Sequence, residues 1–243
     1  MTQDDPSQLP RRRAIGHLVG GSLAAAIGLR PEPPLPAAPP DLEHLAAIRH
    51  GVAPVMVPDM SWLQRIDRPR RAVFDCAEIE EGVALHHVRV ALAHYAEVEH
   101  TTDADWSVVL TIRHAAVPML LNDAMWAKYP FLGRSTELKD PASGKRPARN
   151  PFLNANVRPD DRYGLIWPDG GLDTLVRRGV IVLACGMALR RLAGELARDT
   201  KRDRDAVHEE VLANLLPGVY VLPSGIFATL RAEEAGCRYF KSS

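Results

Sequence analysis

Apolar runs rich in β-branched residues alternate with stretches of helical period along most of this chain. RAVFDCAE (Arg71 to Glu78) reads as a buried strand ending near Cys76. EEGVALHHVRVALAHYAEVEH follows, with Val83, His87, Val90, Ala91 and His94 at helical spacing. DWSVVLTIRH places a second strand over Val108 to Ile112, and AVPMLLNDAMWAKY predicts a helix with Pro118 near its first turn. GLDTLVRRG predicts a short helix stopped by Gly179, followed by the strand VIVLAC. Two helical stretches fill Met187 to Leu216, with a charged break at RDTKRDRD. GVYVLP is a fourth strand, SGIFATLRAEEAG a helix capped by Ser224 and ended by Gly236, and CRYF a short fifth strand.

Fully apolar strands alternating with helices predict an α/β fold: an open, mostly parallel five-stranded sheet with helices on both faces. Residues 130–170 interrupt the pattern, being rich in Pro, Arg, Asn and Gly without a clear period. Such long loops are lids, partner surfaces or disordered segments. Residues 70–243 therefore form the domain, and residues 41–69 an N-terminal extension with one short amphipathic piece at Leu42 to Ile48.

The first forty residues are different in kind. A basic cluster, Arg11 to Arg13, precedes a weakly apolar stretch from Ala14 to Leu29 and a proline-rich tail from Pro31 to Pro40. That apolar stretch is too short and too weak for a transmembrane helix. It reads as an export leader, and Arg12-Arg13 resembles a twin-arginine signal, although no clean cleavage site follows. The expected location is periplasmic or exported, with an N-terminal membrane anchor if the leader is not cut. The proline-rich tail is a stiff linker.

Charge narrows the partners. Lys+Arg and Asp+Glu both total 30, so no global field recruits nucleic acid, and aromatic residues at 6% are too sparse for stacking platforms. Cys76, Cys185 and Cys237 are too few for a disulfide framework and form no C-x-x-C pair, which argues against structural zinc. The histidines show no tight ligand spacing, so neither a metal nor a cofactor is expected. Nucleotide-binding and nucleophile-elbow glycine motifs are absent from the sequence.

In open parallel sheets, ligands bind beyond the carboxyl ends of the strands. Those ends read Asp75-Cys76-Ala77, Arg113-His114, Ala184-Cys185-Gly186 and Pro223-Ser224-Gly225. Cys185 is the foremost candidate, because the helix after it would aim its N-terminal amides near the sulfur and favour a thiolate. Gly186 would leave the approach open, and Arg190 and Arg191 would add positive charge one turn on. A buried packing role is the alternative for Cys185, and a Cys76–Cys185 disulfide is another. Cys237 reads as packing. His114 is a candidate proton donor or acceptor beside the thiol. Cys76, Arg113, Ser224, Asn122 and Asp123 are candidate ligand contacts, and Trp126 and Tyr129 a candidate interface.

The span from about Arg70 to Phe240 resembles the DsrE/DsrF-like sulfur-relay family. The resemblance rests on GVIVLACGMALRRLA, on LLPGVYVLPSGIFATLRAEEAGCRYF and, at the N-terminal side, on VFDCAEIEEGVALHHVRVALAHY. It implies a flavodoxin-type three-layer sheet that assembles as trimers or hexamers. It also implies a strand-end cysteine, here Cys185, that carries sulfur as a persulfide between a donor and an acceptor protein or a small sulfur compound. Cys76, His114 and the long loop have no counterpart in the family pattern. The different-class alternative is a non-catalytic periplasmic module of the same fold that binds a small ligand or metal, or assembles with copies of itself.

Overall fold

Crossover direction decides which face each helix covers. The computed structural model describes residues 57–136, 138–139, 144–156 and 169–243. The leader, the linker and the piece at Leu42 to Ile48 lie outside the described residues, as does part of the long loop. β1 (Arg70–Cys76) leads to α1 (Val83–Glu99), and β2 (Trp106–Ile112) to α2 (Asp123–Lys128) and α3 (Pro130–Ser135). After α4 (Leu172–Arg177) come β3 (Ile181–Cys185), α5 (Gly186–Thr200) and α6 (Arg204–Ala213). β4 (Val219–Leu222), α7 (Gly225–Glu234) and β5 (Arg238–Lys241) complete the order.

Every strand pairing is parallel, and the order is β4-β3-β2-β1-β5. The expected three-layer α/β architecture is what forms. Steps from β1 through β4 all move the same way across the sheet, so right-handed crossovers place their helices on one face. The return from β4 to β5 moves the other way and puts α7 on the opposite face. Alternation within the strands divides the core accordingly. Phe74, Val108, Leu110, Ile112 and Val182 pack with α1 and α5, whereas Val73, Val109, Ile181 and Leu183 pack with Ala228 and Ala232 of α7. Trp62, fully buried in a 3-10 turn at Ser61–Arg65, joins the second cluster, so part of the segment read as an extension belongs to the core.

Two sequence expectations are corrected. The helix expected over Ala116 to Tyr129 is two pieces, a 3-10 helix at His114–Leu120 and then α2. Pro118 has no N–H to continue an α-helix, and its carbonyl accepts from Leu121 N and from the Trp126 indole, both at 3.2 Å. Asn122 then restarts the chain as an N-cap, its side chain accepting from Met125 N at 3.1 Å. The long loop also carries structure: α3 opens on Pro130, and Asn150, wholly buried, donates to Met119 O at 2.9 Å and Leu121 O at 2.6 Å.

Glu210 on α6 ties that helix to the end of α2. It accepts from Tyr129 Oη at 2.9 Å and Arg202 Nη1 at 2.7 Å, and it pairs with Lys128. Burial raises its pKa, but those three donors outweigh burial and pull it from 4.5 down to about 2. A carboxyl depressed on folding contributes stability above its unfolded value and loses it as the pH falls toward the folded one. Glu210→Gln is therefore expected to lower stability by about 1–2 kcal/mol at neutral pH, allowing for the exposed lysine and arginine. Urea melts at stepped pH should show that gap closing between pH 4.5 and about 2.

Candidate active site at the carboxyl edge of the sheet

A carboxylate in a buried strand demands a cation, and here β2 supplies it. Asp75, 5% exposed, accepts from Arg113 Nε at 2.7 Å and Nη2 at 2.9 Å in a two-pronged pair. Tyr239 of β5 donates its hydroxyl to the same carboxylate at 3.0 Å. Three adjacent strands thus hold one charged cluster at the sheet's edge. The hydrogen-bonded Asp75 pushes the Arg113 guanidinium above its ordinary pKa against the opposing effect of burial, with smaller contributions from Tyr239 and Cys185. Cys185 therefore lies within the electrostatic reach of Arg113.

Cys185 ends β3 as the N-cap residue of α5, with extended backbone (φ −76°, ψ 107°) and a thiol that makes no capping bond. It is 7% exposed. The glycine after it serves another purpose than leaving an open approach. A Cβ at Gly186 would lie 2.8 Å from Leu222 O, so the missing side chain lets the first turn of α5 press against the end of β4. Gly225 does the same for the charged cluster, since a Cβ there would meet the Arg113 side chain at 2.6 Å.

Cys76 is not a partner for Cys185. Register sets Cys76 level with Ile112, and Ile112 level with Ala184, so two strand spacings of about 4.8 Å each separate the thiols' strands. That exceeds the roughly 7 Å a disulfide can bridge. All three cysteines are free. The Cys76 thiol donates to Glu78 O at 3.3 Å, and burial, with nearby carboxylates adding, pushes it up to about 12. Burial likewise pushes Cys237 up to about 11, against a lowering by Arg71.

The other candidates divide. His114 stands at the strand end with left-handed backbone (φ 50°), its Nδ1 2.7 Å from Glu78 Oε1. Arg191 donates to the His114 carbonyl at 3.1 Å and pairs with Glu195, so its charge is partly answered. Ser224 caps α7, accepting from Phe227 N at 3.1 Å. Asn122 and Asp123 serve the middle of the chain instead: Asn122 donates to Asn214 Oδ1 at 2.9 Å, and Asp123 accepts from Asn150 N at 2.9 Å and pairs with Arg149. Trp126 and Tyr129 are 1% and 0% exposed, so they pack inside the domain rather than forming an interface. Among the described residues, no group of three or more His, Cys, Asp or Glu is placed to hold a metal ion.

Asp75 stands at a strand end in the sequence without an assigned role, and Tyr239 is not marked at all. A lone carboxylate inside the apolar run AVFDC was the available signal, since a buried charge persists only when paired. Tyr239 carried no such mark, because its role depends on β5 returning beside β1.

No family model matches the chain, and no curated protein does either. Among solved structures it is similar to MTH1491, a protein of unknown function from Methanobacterium thermoautotrophicum, at 19% identity. That match covers 71% of this chain and 98% of the other, with a TM-score of 0.36.

Proposed function

We propose that the protein binds or relays sulfur through Cys185, as the resemblance to DsrE/DsrF-like proteins suggests. One observation carries the reading: of the three thiols, Cys185 alone ends a strand at the N-terminus of an α-helix, beside the neighbouring strand end that carries the Asp75-held Arg113. Cys76 and Cys237, held near 12 and 11, stay protonated and inert at neutral pH.

In the reaction the Cys185 thiolate attacks the outer sulfur of a sulfane donor. A new S–S bond forms, the donor's S–S bond breaks, and its electron pair leaves with the remainder of the donor. The first amides of α5 and the Arg113 guanidinium face the charge of the resulting persulfide. An acceptor thiolate then takes the terminal sulfur and releases Cys185. A thiol only 7% exposed suits a small sulfur compound better than a folded partner's disulfide. His114, just past the end of the neighbouring strand β2, is the candidate for proton transfer, and its bond to Glu78 holds the ring. The leader read in residues 1–40 would place this chemistry outside the cytoplasm.

Assembly with further copies fits the same reading. Ile226, Phe227 and Leu230 on the outward side of α7 are 68%, 37% and 53% exposed, an apolar patch beside the proposed site.

Intact mass of the purified protein before and after incubation with inorganic polysulfide tests the relay. The expected result is a gain of about one sulfur atom that reductant removes and that Cys185→Ser abolishes. A gain that survives in Cys185→Ser, or no gain with Cys185 alkylatable, overturns it.

A further inference from the structure

A broad groove lies away from Cys185, and its origin is topological. α1 covers β1 and β2 on one face, while β5 joins the far side of β1 through α7 on the opposite face. Among the described residues, no crossover helix therefore sits over β5 on the α1 side. What remains is a groove of about 890 Å³ between α1 and the β1–β5 pair.

Its floor and walls are aromatic. Phe74 and Phe240 lie side by side across the two strands with ring centroids 5.4 Å apart. His87 stands edge-on to Phe240 at 5.4 Å, fixed by Ser242 Oγ 3.1 Å from its Nδ1. Tyr95 and Trp106 form the wall nearer the start of the strands, edge to face at 4.8 Å.

Charge at that end is unbalanced. Arg70 is answered by Glu99 and lies over the Tyr95 ring at 5.8 Å. Arg71 bonds only carbonyl oxygens, Arg68 O at 2.8 Å and Ala235 O at 3.1 Å, which leaves its positive charge without a carboxylate among the described residues. The Arg238 side chain, on the exposed edge strand level with Ala72, has neither an ion pair nor a hydrogen bond among the described residues. Glu99, the groove's acidic residue, is already paired. Arg238 stands two residues from Phe240 on the same strand face, and Arg71 lines the same end of the groove; their unanswered charge beside a floor of ring faces and edges complements a flat apolar body with an anionic head.

We propose that this groove binds a small aromatic anion, its ring system seated on Phe74 and Phe240 and its carboxylate or sulfonate held by Arg238. Arg71 adds field to the same end, and Tyr95 and Trp106 close the side of the ring. The site is independent of any chemistry at Cys185.

The test uses the full chain and two fluorescent probes with the same body. One is 8-anilinonaphthalene-1-sulfonate, which carries the anionic head; the other is N-phenyl-1-naphthylamine, which lacks it. The sulfonate should bind saturably at one site per chain. Arg238→Gln should weaken the sulfonate about tenfold and leave the neutral probe within about twofold. Phe240→Ala should weaken both probes by about fivefold or more. Both side chains lie on the exposed edge strand, and unchanged circular dichroism and thermal midpoint confirm folding; Phe240→Leu replaces the alanine variant if it fails that check. Absence of saturable sulfonate binding overturns the proposal. So does binding that neither variant changes, which would place the dye on the apolar face of α7. Equal weakening of both probes by Arg238→Gln overturns the anionic head.

Discussion

Asp75→Ala is expected to lower the unfolding free energy by about 3 kcal/mol, read as a fall in the urea midpoint at unchanged slope. Removing the carboxylate strands the Arg113 guanidinium beside a buried strand end and deprives the Tyr239 hydroxyl of its acceptor. Breaking a buried pair on one side costs about 3–5 kcal/mol in general. The lower figure applies here because the Arg113 side chain is 33% exposed and recovers part of its hydration. Tyr239→Phe removes a single hydrogen bond and should cost about 1 kcal/mol or less. Adding Arg113→Ala to Asp75→Ala should restore part of the loss, because no unpaired charge then remains. A deficit below about 1 kcal/mol for Asp75→Ala would mean that water already satisfies the guanidinium and that the cluster is not structural.

The same substitution at two glycines of one helix should act in opposite directions. Gly186→Ala forces a Cβ to within 2.8 Å of Leu222 O, a backbone atom of β4 that cannot swing aside. Either α5 or β4 must shift, and about 2–3 kcal/mol of destabilisation is expected. The shift moves Cys185, so thiol reactivity toward a small alkylating agent should change with it. Gly194→Ala, two turns later, would meet only the flexible Arg204 side chain at 3.4 Å. With helix propensity gained, it should stabilise by up to about 1 kcal/mol. Paired urea melts check both signs, and a neutral Gly186→Ala would show that the β4–α5 contact is loose.

Strand identity was readable because buried parallel strands are continuous apolar runs. VIVLAC and GVYVLP are short, rich in β-branched residues and bounded by glycine or proline, and each became the strand expected to within one residue at either end. What the sequence hid was non-local. The break at Pro118 follows from a carbonyl shared between Leu121 and an indole eight residues away. Asn150 and Phe152 are core residues inside a stretch without period, since their burial depends on α2 rather than on a repeat. At the site, the strand-end positions of Cys185 and Arg113 could be read from pattern alone. The neighbour of each could not: whether Cys76 faces Cys185 or Asp75 faces Arg113 is decided by strand order and register.

β5 pairs with β1, yet nearly the whole domain separates them in sequence: Ala72 lies level with Arg238. During synthesis β1 through β4 can associate as each emerges, while the flank of β1 waits for the last strand to be made. Until then Phe74 has no Phe240 beside it, and the Asp75–Arg113 pair lacks its tyrosine. Closing so long a loop is slow relative to neighbouring-strand contacts. The nascent domain therefore passes through a four-stranded stage whose open β1 edge is a ready template for mispairing with another chain.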